Sequence, residues 1–234
     1  MWKVKMESWS LLYKQPINLW TCNISLSRMR ILPGRKRKSI MNTSTQTLPD
    51  GYVQSGEINL KKNKRLAILL NIGAFIVFIL MFYLLTGFIA LVRPDITNFS
   101  VSITIEKMLS ALGLTVIVLI IHEIIHGLFF WIFSRGMPVF ALRPLYAYAG
   151  APTWFFPKRQ YAITALGPLV VIGIGGLLLL LLAPISWVLM IVFLVALNTG
   201  GAVGDLFVFI RLLKCSPTSF ANDTGEVVTF FERP

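Results

Sequence analysis

The chain has 234 residues, of which 56% are hydrophobic and only 14% charged, with a mean hydropathy of +0.73 and a net charge of +12. An ordinary soluble domain carries about a quarter charged residues, so the composition excludes a soluble fold and points to membrane-length segments. Two cysteines, Cys22 and Cys215, make no disulfide framework, and the basic excess is better explained by membrane topology than by a nucleic-acid partner.

In chain order, residues 1–40 stand apart. They hold nine Lys/Arg against one Glu and contribute +8 of the net charge, ending in Arg35-Lys36-Arg37-Lys38. Their apolar patches are short and interrupted, so they make a poor secretory signal. Two readings remain for this extension: a basic arm on anionic headgroups, or translated upstream sequence ahead of a start at Met41. Residues 41–65 form a cytoplasmic lead-in. Within it, Leu48-Pro49-Asp50-Gly51 is a turn signature, and Tyr52 to Leu60 alternates loosely, as a short strand or an interfacial segment does.

Four apolar runs follow: Leu66 to Val92, Met108 to Ser134, Tyr161 to Ala183, and Ile185 to Ile210. Each meets the roughly 20 residues a bilayer-spanning helix needs. Basic residues precede the first run (Lys61, Lys62, Lys64, Arg65), join the second to the third (Arg135, Arg143, Lys158, Arg159) and follow the fourth (Arg211, Lys214). By the positive-inside rule both termini are cytoplasmic and the protein crosses four times. The fold class expected is therefore all-α and integral to a membrane, with four transmembrane helices over residues 66–214. Between helices two and three, Pro138 to Ala149 reads as a short cytoplasmic β-hairpin or re-entrant piece, either able to hold an extended peptide by strand addition or simply an ordered cover. The tail, 215–234, contains the β-prone run Val227 to Phe231; it is expected in the cytoplasm, with Tyr52 to Leu60 as its pairing partner.

The second run carries His122-Glu123-Ile124-Ile125-His126, and these are the two histidines of the chain. Histidines at i and i+4 lie one turn apart on one helix face and can reach one ion, with the intervening Glu123 beside it as a proton acceptor. Ionisable side chains at membrane depth mark function. A catalytic zinc takes three protein ligands, so a third is needed. Ile132 stands where a metzincin has its third histidine. Glu226 and Glu232 sit in the polar tail, and Cys215 just past the last run is a weaker candidate. Asp205 is the carboxylate of the fourth run and fits best. It follows Gly200 and Gly204, a small-xxx-small face that admits a neighbouring helix; Gly201 lies one turn before it on the same side, and Asn198 two turns before it on nearly the same face. Asn71 in the first run reads as a residue bonding a neighbouring helix.

Taken with Gly167-Pro168 in the third run, Gly204-Asp205 in the fourth, and the segment Phe140 to Tyr161 with Phe155-Phe156-Pro157-Lys158, the pattern from about Leu48 onward resembles the bacterial zincin peptidases. These are related in pattern to the site-2 protease class of intramembrane metalloproteases. The resemblance implies Zn2+ held by His122, His126 and Asp205, with Glu123 catalytic; separately, the amide of Asn198 is expected to position an extended substrate strand by hydrogen bonds. The substrate would be a membrane-embedded protein or peptide, reached from a bacterial plasma membrane. The rival expectation is a non-catalytic metal-binding membrane protein, a transporter or assembly factor, which uses the same ligands but has no need of Glu123.

Overall fold

The structure is a computed structural model, and it describes residues 43–94, 104–143 and 146–234. The basic extension 1–40 and Cys22 lie outside those residues.

Among the described residues there are five helices and six strands, in the order one strand, two helices, three strands, three helices, two strands. Helix α1 (Lys64–Val92) starts at Asn63, whose side-chain oxygen accepts the Leu66 N–H. Helix α2 (Ile105–Ser134) starts at Thr104, whose hydroxyl accepts the Lys107 N–H. Both starts lie ahead of the apolar runs because a capping side chain satisfies the first-turn donors and lets the helix take in charged residues. Helix α3 spans Lys158–Leu182. These three are long and apolar enough to cross a membrane. In α1 and α2 only 11% of the most apolar window is buried, so their Leu, Ile and Phe side chains face outward, as lipid-facing helices do.

The fourth run is broken. It comprises α4 (Ile185–Gly201) and α5 (Val203–Leu213), set at 40° to one another about Ala202. The fourth expected transmembrane helix is thus two helices, and the pair counts as a fourth span only when taken together. The glycines there do different things. A Cβ on Gly200 would lie 2.7 Å from the Ala74 carbonyl oxygen and 3.0 Å from Phe78 Cβ, so Gly200 is where α1 crosses α4 closely, whereas Gly201 and Gly204 face open space.

The all-α expectation is also corrected. Strands β1 (Val53–Asn59), β4 (Phe155–Pro157), β5 (Phe220–Asp223) and β6 (Val227–Glu232) form an antiparallel sheet in the order β1-β6-β5-β4. The tail thus supplies the two central strands. β6 pairs with β1 from Val53↔Glu232 to Asn59↔Val227, as anticipated for Tyr52 to Leu60. The turn before β1 forms as well: Tyr52 N–H donates to Pro49 O, and Gly51 takes φ +82°, the conformation glycine supplies in such a turn. Between α2 and α3, β2 (Val139–Arg143) and β3 (Tyr146–Gly150) form the expected hairpin.

Two apolar cores result. One joins Leu85 and Ile89 of α1, Leu180 of α3, and Val188, Val192 and Val195 of α4. The other seats the sheet on the opposite helix ends, with Phe156, Phe230 and Ala221 against Phe130, Tyr161 and Leu212. The residues expected at the site lie on the helices beside this second core.

Candidate metal centre

His122 and His126 project from one face of α2, with ring centroids 4.9 Å apart. Asp205 comes from the first turn of α5, where a carboxylate is favoured by the helix N-terminus. Its Oδ2 lies 3.2 Å from His122 Nε2 and its Oδ1 3.5 Å from His126 Nε2. One ligand atom from each of the three falls within 4.8 Å of the others. Ligand atoms about 2.0–2.2 Å from a tetrahedral ion stand roughly 3.3–3.6 Å apart, so the spacing suits a single zinc. Cys215, the weaker alternative, is buried against the sheet in the second core.

The hydrogen bonds behind the rings agree. His122 Nδ1 lies 2.9 Å from Asn198 Oδ1, and His126 Nδ1 lies 2.9 Å from the Thr164 carbonyl oxygen. Both partner oxygens can only accept, so each Nδ1 carries a hydrogen and each ring turns its Nε2 toward Asp205. Two imidazole nitrogens and one carboxylate so converge on one point, and that donor set is one that zinc takes. Asn198, expected to position substrate, has its oxygen bonded to His122 Nδ1, while its Nδ2 has no partner among the described residues. Asn71 bonds back to the Ala67 carbonyl of its own helix rather than to a neighbour.

Glu123 sits beside the triad and is half-buried. Its Oε2 accepts the Ala149 N–H at 2.8 Å, which ties α2 to the hairpin. Ala149 stands opposite Phe140 in the β2–β3 register, and its N–H points away from β2. The next residue on that side, Ala151, donates to the Asp223 carbonyl. The outer side of β3 therefore faces Glu123. A cavity of about 210 Å³ opens here, lined among others by Glu123, His126, Asp205, Tyr148, Ala149 and Tyr161.

Two further lining residues escape sequence reasoning. Tyr161, in the first turn of α3, donates its hydroxyl to Asp223 Oδ2 at 2.6 Å, and Asp223 Oδ1 accepts the Gly225 N–H. Burial pushes the Asp223 carboxyl above its ordinary value, against the pull of those two donors. Nothing in the local sequence marks a tail aspartate and a tyrosine 62 residues away as partners.

No curated protein and no solved structure matches the chain. Residues 115–220, which carry His122, Glu123, His126, Asn198 and Asp205, match the family model described as "Putative zincin peptidase", a family that implies zinc as the metal of this His-His-Asp group.

Proposed function

We propose that the protein is a zinc-dependent peptidase that hydrolyses a peptide bond within or beside the membrane, in the manner of site-2 proteases. The observation that carries this reading is the shared cavity: a carboxylate, Glu123, opens onto the same space as His126 and Asp205 and the outer side of β3. A pure metal carrier has no use for that carboxylate.

His122, His126 and Asp205 hold the zinc, which supplies Lewis acidity for acidifying water and polarising a carbonyl. Glu123 takes a proton from the attacking water as its oxygen bonds to the carbonyl carbon. It then delivers that proton to the amide nitrogen as the C–N bond breaks, so the carboxylate is regenerated each turnover. The Ala149 N–H holds one oxygen of Glu123 in place for both transfers. The cavity is smaller than the roughly 300–1,000 Å³ of common ligand pockets, and an α-helix is about 10 Å across. A substrate segment therefore enters extended, and the outward backbone of β3, the Ala147 peptide groups and the Ala149 carbonyl, offers it strand pairing. With basic residues flanking spans one, three and four on one side, we assign that side, both termini and the sheet to the cytoplasm of a bacterial plasma membrane.

The test is Glu123→Gln against His126→Ala, with quenched-fluorescent peptides presented in lipid vesicles. Glu123→Gln retains zinc and loses at least about 10²-fold in turnover; His126→Ala loses zinc and turnover together. Wild-type cleavage by Glu123→Gln would favour the non-catalytic metal-binding rival.

A further inference from the structure

The Gly167-Pro168 pair of α3 has no part in the chemistry above, yet both residues lie at the α2–α3 contact and are buried. In a helix the Thr164 carbonyl would accept the N–H of residue 168. Proline has no N–H, and its ring presses against the carbonyl four residues back. The Thr164 oxygen is thereby left without its helical donor, and it is this oxygen that accepts the His126 Nδ1–H at 2.9 Å. Thr164 is 1% exposed, so water cannot easily serve that oxygen instead. Gly167 acts on the same contact. A Cβ there would run into the ring of Phe129, which lies one turn after His126 on α2. Without that clearance α2 could not approach close enough for the His126 ring to reach Thr164.

We propose that Gly167-Pro168 is a positioning element for the metal centre: Pro168 releases the Thr164 carbonyl to fix the His126 tautomer and ring orientation, and Gly167 admits the helix that carries His126. Pro168 touches neither metal nor substrate. It acts through a backbone oxygen, and its effect is on metal affinity rather than on packing alone. The inference rests on the zinc reading of the site, and the experiment separates the two.

Full-length protein in detergent micelles is titrated with zinc against a competing chelator, and the absorption of its Co2+-substituted form is recorded beside the thermal unfolding of the metal-free protein. Pro168→Ala supplies an N–H that competes for Thr164. Outer-shell partners of ligating histidines are worth about 10–100-fold in metal affinity, so zinc binding weakens by about 10-fold and the Co2+ bands shift. Metal-free stability does not fall, because alanine is the better helix former. Gly167→Ala likewise weakens zinc binding, and adding Phe129→Ala to it restores affinity by returning the space. His126→Ala is the reference for a lost ligand. If His126→Ala loses zinc but Pro168→Ala binds it with unchanged affinity and unchanged Co2+ bands, the positioning role is overturned and the proline is only a feature of helix shape. If His126→Ala also binds as the wild type does, the metal reading itself fails, and this inference with it. Should Pro168→Ala not fold, the Gly167→Ala and Gly167→Ala/Phe129→Ala pair decides: equal affinities in both overturn the proposal.

Discussion

Asn198→Leu separates orienting a ligand from holding a substrate. The substitution keeps the size of a side chain that is 2% exposed but deletes the acceptor for the His122 Nδ1–H. A buried donor left unsatisfied costs about 1–3 kcal/mol. The same change removes the Asn198 Nδ2, which has no partner among the described residues and is itself a burial cost of similar size. Folding stability should therefore shift by about 1 kcal/mol or less. Metal binding has no such offset, because the His122 ring loses what fixes its tautomer. A fall of about 10–100-fold in zinc affinity follows, equivalent to about 1.4–2.7 kcal/mol. Asn198→Asp, which presents a carboxylate oxygen to the same Nδ1–H, should hold zinc at least as well as the wild type. Chelator competition gives the affinity and thermal unfolding of metal-free protein gives the stability. If Asn198→Leu leaves zinc affinity unchanged and raises KM for a peptide instead, the residue positions substrate and the orienting role is refuted.

Three other outcomes follow from the structure. Gly200→Val forces a side chain against the Ala74 carbonyl and Phe78 and should lower stability by about 1–3 kcal/mol, whereas Gly204→Ala, which meets nothing within 4 Å, should be tolerated; equal unfolding midpoints for the two would contradict the α1–α4 crossing. Asp223 has its carboxyl raised above an ordinary 3.8 by burial, so its contribution to stability is present below that value and lost as pH rises through the folded one. Asp223→Asn stays neutral, and its unfolding midpoint should gain on the wild type as pH rises from about 4 to 7; a gap independent of pH would show that the carboxyl is not buried as described. Reporter fusions after Lys107 and after Lys214 should read outside and inside respectively, and matching signals would sink the four-crossing topology.

The ligand group was legible because polarity is rare here. His122 and His126 share a helical spacing inside an apolar run, and Asp205 is the carboxylate of another. Their shared face with Asn198 survives the bend at Ala202, since Asn198 and Asp205 face opposite nitrogens of one ring. The bend itself was illegible: Gly200, Gly201 and Gly204 fit a packed face as well as a break, and only the approach of α1 at Gly200 tells them apart. The sheet was half legible. Val227 to Phe231 is β-prone, but β4 is three residues ending in proline, too short for an alternating pattern and recognisable only once β5 lies beside it. Tyr161 and Asp223 meet through that sheet, so no local signal pairs them.

The central claim is that His122, His126 and Asp205 hold one metal for Glu123 to work beside. The most direct measurement is the metal content of purified protein, wild type against Asp205→Ala and Glu123→Gln. The wild type and Glu123→Gln should each carry about one zinc per chain, as a three-ligand catalytic site does, and Asp205→Ala should lose it. Zinc retained in full by Asp205→Ala, or absent from the wild type after zinc loading, would contradict the account.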